Sequence, residues 1–204
     1  MFDMDGTLLH TMRYWRLTTI EVMLGRDIFP NADQMARVWN TSSRALCKEI
    51  LLENGIELSD QEILHEMESY MLPHYQKHAK MKARAGEYLE KLHQQGIPMC
   101  IATAAPREFA REALERLGLA KYFQFITDCY EQQMSKREPE FFHIMAGKLG
   151  VETKDMCVFE DAPYSMRGAK AAGCPVIAIQ DYMYSEDEAR EIADLYITGY
   201  EELL

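Results

Sequence analysis

The chain is poor in the features that mark several common protein classes. Its five cysteines, Cys47, Cys100, Cys129, Cys157 and Cys174, are scattered through apolar runs and never form a Cys-x-x-Cys pair. That spacing argues against a zinc site or a disulfide framework and for buried, reduced thiols. No apolar run approaches the ~20 residues that a membrane span needs, and no signal peptide opens the chain. A cytoplasmic protein with no membrane partner is expected. Positive charge is scarce too: 22 basic against 33 acidic residues leave a net charge of −11, with no basic run or basic–aromatic stripe. A nucleic-acid partner is therefore not expected. A small anion is a different matter, because backbone amides and one lysine can locally outweigh a global negative field. No internal repeat or low-complexity segment is present, and no pattern speaks to oligomeric state.

What the chain does have is apolar mass: 48% of its 204 residues are hydrophobic. That is enough for one α/β domain, or for a core domain carrying one insertion. Apolar runs of strand length alternate with helical patterns over the C-terminal two thirds. The runs are Ile97–Thr103, Tyr122–Thr127, Met156–Phe159, Cys174–Ile179 and Leu195–Ile197. Near-continuous apolar strands separated by helices predict a parallel sheet covered on both faces. Helices are expected from Gly86 to Gly96, Pro106 to Gly118, Pro139 to Gly150 and Pro163 to Gly173. Three of these place proline at the first turn, and all place glycine past the last. The predicted fold class is thus α/β, a doubly wound parallel sheet.

Residues 13–80 read differently, with helical spacing and no strand. Ser59-Asp60-Gln61-Glu62 is a capping-box signature ahead of Ile63, Leu64, Met67 and Met71, and Gln34–Leu52 carries a partly helical pattern. Pro73 reads as a helix start, which leaves the His74/His78 pair little prospect as a metal site. Two domains are therefore predicted: residues 1–12 with 81–204 as the α/β core, and 13–80 as a helical insert. An insertion after the first strand's carboxyl end falls where open α/β sheets place their ligands, so it reads as a cap over a site.

The chemistry lies at those strand ends. Asp3-Met4-Asp5-Gly6-Thr7-Leu8-Leu9 puts two carboxylates one residue apart, on one face of an extended segment, ahead of a glycine that lets the backbone turn. Such a pair suits nucleophilic attack by one carboxylate and proton transfer by the other beside a divalent metal. After the next strand, Thr103-Ala104-Ala105-Pro106 offers a hydroxyl and then backbone amides at a helix N-terminus. Lys136 precedes the Pro139 helix, and Glu160-Asp161 adds two carboxylates. Singly these are an acidic turn, an N-cap and a solvated lysine. Together they describe an anion site with a hard cation, for which Mg²⁺ fits the oxygen ligands.

The chain resembles the haloacid dehalogenase superfamily, in the branch with a helical cap, like β-phosphoglucomutase and phosphoglycolate phosphatase. The resemblance rests on Asp3-Met4-Asp5-Gly6-Thr7-Leu8, Ile101-Ala102-Thr103-Ala104, Ser135-Lys136-Arg137-Glu138-Pro139 and Phe159-Glu160-Asp161-Ala162, in that order. It implies a Rossmann-like core and a phosphatase acting on a small phosphorylated metabolite. Asp3 would be the nucleophile that forms an aspartyl-phosphate, and Asp5 the general acid and base. Thr103, the Ala104 amide and Lys136 would bind the phosphoryl oxygens. Asp3, the Asp5 backbone carbonyl, Glu160 and Asp161 would bind Mg²⁺. The chain departs from the pattern in three places: only Met1 and Phe2 precede Asp3, His10 stands where many relatives have aspartate, and Trp15 stands where the mutases carry histidine. His10 reads as a local hydrogen-bonding residue and Trp15 as an aromatic anchor of the cap. A sugar-phosphate mutase is the alternative activity, and a non-catalytic metabolite-binding or interaction protein the third reading. A dehalogenase would not need Asp5, because its leaving group takes no proton.

Overall fold

The computed structural model describes residues 1–40 and 44–204. The chain divides into two compact units, residues 1–10 with 79–204 and residues 11–78. The crossings fall at 10/11 and 78/79, against the 12/13 and 80/81 read from the sequence. The difference comes from backbone pairing: His10 N–H donates to Lys80 O and Lys82 N–H to Leu8 O, both at 2.8 Å, so residues 79–82 belong with the first unit.

The first unit carries helix α5 (Ala85–Gln94), strand β1 (Cys100–Thr103), α6 (Arg107–Arg116), β2 (Phe125–Asp128), the single turn α7 (Cys129–Gln132), α8 (Pro139–Leu149), β3 (Val158–Glu160), α9 (Pro163–Ala171), β4 (Val176–Ile179), α10 (Glu186–Ile192) and β5 (Leu195–Ile197). All pairings are parallel: β1 with β2, β3 with β4, and β4 with β5. Phe2 bridges Ile101 on one side and Phe159 on the other, so the chain start takes the central place between β1 and β3. Four bonds of 2.9–3.0 Å hold it there: Phe2 N–H to Cys100 O, Ala102 N–H to Phe2 O, Asp3 N–H to Phe159 O and Phe159 N–H to Met1 O.

Strands β1 to β4 are shorter than their apolar runs and lie toward the C-terminal ends of those runs, while β5 matches its run. Ile97–Met99 stay outside β1, since Pro98 has no N–H to give a ladder and Ile97 is exposed. Ala120–Tyr122 form a 3₁₀ turn, which moves β2 on to Phe125–Asp128. The proline-to-glycine helices form as read, with Gly150 at φ 75° closing α8. Helix α10 was not read from the sequence, although Ser185-Glu186-Asp187-Glu188 is a capping pattern and Ser185 Oγ does accept from Glu188 N–H.

The second unit holds α1 (Met12–Leu24), α2 (Ala32–Asn40), α3 (Arg44–Glu53) and α4 (Asp60–Lys77). Residues 41–43, inside the segment Gln34–Leu52 read as helical, lie outside the described residues. The Ser59–Glu62 capping box forms reciprocally at the start of α4. Pro73, however, does not start a helix; it lies inside α4. The buried stripe Ile63, Met67, Met71, Tyr75 runs past it, while Pro73 itself is on the exposed side. Burial of that stripe outweighs the one backbone bond that proline forfeits. Among the described residues, no helix is long and apolar enough to cross a membrane.

Candidate functional site

Thr103, Asp128 and Glu160 are the last residues of β1, β2 and β3, and Asp3 ends the central pairing segment. The sheet therefore delivers their side chains to one edge, where parallel α/β sheets gather ligands. After Asp3 the chain folds back sharply. Gly6 takes φ 80°, a conformation glycine adopts without steric cost, and Leu8 and Leu9 N–H both return to Met4 O at 2.9 Å.

Asp3 is buried, and its Oδ1 accepts from Lys136 Nζ at 2.5 Å; the same ammonium lies 3.2 Å from Glu160 Oε2. Lys136 is itself only 1% exposed. Burial alone would lower its pKa, but the Asp3 and Glu160 charges outweigh that and hold it well above the usual lysine value. Glu160 is pushed up to about 8 by burial and by Asp3, against the pull of Lys136. Asp161 is raised well above the carboxylate range by burial, then by Glu160, Asp3 and Asp181, with Lys82 opposing. Thr7 Oγ1 donates to Asp161 Oδ1 at 3.4 Å, whereas the buried Asp161 Oδ2 has no hydrogen-bond partner.

Asp3, Glu160 and Asp161 thus place ligand oxygens within 4.8 Å of one another, and Lys136 bonds to the first two of them. Buried acid in such excess needs further positive charge. The donor set is all carboxylate oxygen, and one of those oxygens is unpartnered, which fits a hard divalent cation of the Mg²⁺ kind. Asp5 turns to a different neighbour: Thr103 Oγ1 donates toward its Oδ2 at 3.5 Å.

The segment after β1 differs from expectation in one respect. A row of helix N-terminal amides was expected there. Instead Ala105 N–H is taken by Thr103 Oγ1 at 3.0 Å, Pro106 has none, and Arg107 N–H is taken by Asp128 Oδ2 at 2.6 Å. The exposed Ala104 amide has no protein partner among the described hydrogen bonds, so it is the donor left for a ligand. Asp128 also accepts from Glu131 N–H at 2.6 Å, so it clamps the starts of α6 and α7 together. Its place directly after the apolar run Tyr122–Thr127 was the signal that could have found it.

The other residues singled out have local explanations. Trp15 Nε1 donates to Tyr75 Oη at 2.9 Å inside the helical unit, an anchoring contact. His10 is exposed, with its backbone paired to Lys80. All five cysteines are free thiols. No role was readable in the sequence for Thr7 (bonded to Asp161), Gly168 (packed against the Lys136 backbone) or the Lys82–Asp181 ion pair.

Comparison with known proteins agrees with this architecture. A phosphoglycolate phosphatase of Pectobacterium atrosepticum is 24% identical over 209 residues, spanning 100% of this chain and 89% of its own. A HAD hydrolase, family IA, variant 3, from Entamoeba histolytica superposes with a TM-score of 0.82 at 23% identity, over 100% of this chain and 93% of that one. CbbY from Rhodobacter sphaeroides, in complex with phosphate, gives a TM-score of 0.81 at 18% identity over 99% and 94% of the two chains. Likenesses at such identities carry the fold and nothing finer. The profile of the haloacid dehalogenase-like hydrolases matches residues 1–179, all four strand-end motifs included, and the chain belongs to that family.

Proposed function

We propose that the protein is a Mg²⁺-dependent phosphatase that hydrolyses a small phosphorylated metabolite through an aspartyl-phosphate on Asp3. The observation that carries this reading is the Asp3–Lys136 contact of 2.5 Å beside the unpartnered oxygen of Asp161. It is a nucleophile and a phosphate-binding cation buried against each other. The names of the relatives and the phosphate in the CbbY structure support the substrate class.

In this mechanism the Lys136 ammonium, the Thr103 hydroxyl and the Ala104 amide hold the phosphoryl oxygens. Phosphoryl transfer depends on such positioning and charge neutralisation more than on covalent ingenuity. An Asp3 carboxylate oxygen bonds to phosphorus as the ester P–O bond breaks, and the leaving oxygen takes a proton from Asp5. Asp5, now a carboxylate, removes a proton from water; that water attacks phosphorus, the Asp3–phosphorus bond breaks, and inorganic phosphate leaves. Mg²⁺, held by the Asp3, Glu160 and Asp161 carboxylates and the Asp5 backbone carbonyl, would neutralise charge on the phosphoryl group. Thr7 orients Asp161 for this through the 3.4 Å hydroxyl contact.

A mutase needs a cap group to deprotonate an incoming sugar hydroxyl. Trp15 has no titratable group, and its N–H is committed to Tyr75. Water is therefore the preferred acceptor. The test is a screen of phosphomonoesters, 2-phosphoglycolate among them, with and without Mg²⁺. Phosphate release that disappears in excess chelator, and in Asp3→Asn with its fold intact by circular dichroism, is the expected result. Turnover by Asp3→Asn free of wild-type protein would end the covalent mechanism. Isomerisation of β-glucose 1-phosphate faster than phosphate release would establish the mutase.

A further inference from the structure

Lys82 is buried, 5% exposed, and takes no part in the mechanism above. Its N–H is bonded to Leu8 O, one residue from the Thr7 that orients Asp161. Its Nζ donates to Gln180 O and lies 3.5 Å from Asp181 Oδ2 in the loop after β4. Asp181 is nearly buried as well, and its Oδ1 is fixed by Met183 N–H at 3.1 Å.

The neighbourhood holds a competition. Asp161 Oδ2 is a buried carboxylate oxygen with no partner, and Lys82 is a buried ammonium whose field reaches it. A buried donor and a buried unpartnered acceptor gain by bonding to each other, since little solvent competes for either. Yet the two form no ion pair, because the ammonium is engaged by Gln180 and Asp181 instead. Without that engagement the ammonium can turn to Asp161, whose Oδ2 has no partner, and a bonded ammonium there would exclude a cation.

We propose that Asp181 is a positioning residue for the cation site: it holds Lys82 against the loop after β4 and so keeps the outer oxygen of Asp161 available to the metal. This rests on the cation site of the proposed function, and it assigns a role to a pair outside the four motifs. It also explains why a lysine is tolerated so near a cation. Lys82 pins two segments, Leu8 through its backbone N–H and Gln180–Asp181 through its ammonium, whose charge is answered by a carboxylate of its own.

The test uses Asp181→Asn, which keeps the acceptor for Met183 N–H and loses the charge that holds Lys82. Mg²⁺ affinity is read from the rise in melting temperature of purified, metal-stripped protein across a Mg²⁺ titration. Wild type is expected to be stabilised, and Asp181→Asn to need about 10-fold more Mg²⁺ or above, the weight of one charge-assisted contact. Removing the displaced ammonium as well, in Lys82→Met/Asp181→Asn, is expected to return the affinity to within about 3-fold of wild type. A metal-free crystal structure of Asp181→Asn should show Lys82 Nζ bonded to Asp161 Oδ2. Unchanged Mg²⁺ affinity in Asp181→Asn, a double variant as weak as the single one, or Lys82 still on Gln180 in that structure would each overturn the inference. A wild type that Mg²⁺ does not stabilise would overturn the cation site itself, a result distinct from the other three.

Discussion

Substituting Gly168 with alanine tests how closely Lys136 must be held. Gly168 lies in α9, and a Cβ built on it would stand 2.2 Å from Lys136 O, 3.0 Å from Phe142 Cε2 and 3.2 Å from the Arg137 carbonyl carbon. Ordinary contact begins at 3.4 Å, so the first of these distances must open by 1.2 Å. The atom in the way is backbone, not the end of a flexible side chain. The strain therefore passes either to the loop that carries Lys136 or to α9, which begins two residues after Asp161. Both lead to the site. A displacement of about 1 Å would stretch the 2.5 Å contact between Lys136 and Asp3 beyond hydrogen-bonding range. Misplacement on that scale lowers rate on the order of 10²-fold, equivalent to about 2.7 kcal/mol. Overpacking should also destabilise the fold by about 1–3 kcal/mol, or roughly 2–4 °C in Tm for each kcal/mol in a chain of this size. The assay is kcat/KM on the best phosphomonoester, measured well below either Tm. Gly147→Ala in α8 is the control, since a Cβ there meets nothing within 4 Å. It should leave activity unchanged and raise stability by about 0.4–1 kcal/mol. A Gly168→Ala enzyme with kcat/KM within about 3-fold of wild type and an unchanged Tm would refute the reasoning.

Other outcomes follow from the buried charges. Lys136→Ala should lower kcat/KM by about 10² or more in steady-state assays; it also leaves Asp3 and Glu160 buried without their cation, so Tm measured alongside should fall in the metal-free protein. The pH dependence of cation binding has a definite sign. The Glu160 carboxyl is raised from its ordinary 4.5 to about 8 by burial and by Asp3, so the folded metal-free protein prefers it protonated. That preference stabilises the fold fully below about pH 4.5 and is lost as pH rises through about 8. Mg²⁺ needs the ionised form, so the rise in Tm that Mg²⁺ gives should be larger at pH 8.5 than at pH 6, by differential scanning fluorimetry at both values. An equal or smaller rise at the higher pH would show that Glu160 titrates outside this window.

The sequence by itself determined the class of fold and the order of the motifs. Those properties are local or periodic. Continuous apolar runs mark buried parallel strands, proline and glycine mark helix ends, and acids, a hydroxyl and a lysine recur just past the runs. The structure brings Asp3, Lys136, Glu160 and Asp161 together across up to 158 residues of chain, as those motifs implied. Local signals were weaker where tertiary packing overrode them. The stripe Ile63–Tyr75 carried α4 through Pro73, and β1 to β4 shortened to the residues that find ladder partners. Support for the site was invisible in the sequence for a related reason. Asp128, Gly168, Lys82 and Asp181 act through contacts with segments 21 to 99 residues away, and their spacing fits no helix or strand period. Whether an aspartate clamps two helix starts, restrains a lysine or merely faces solvent depends on what the folded chain places beside it, and only the tertiary structure decides that.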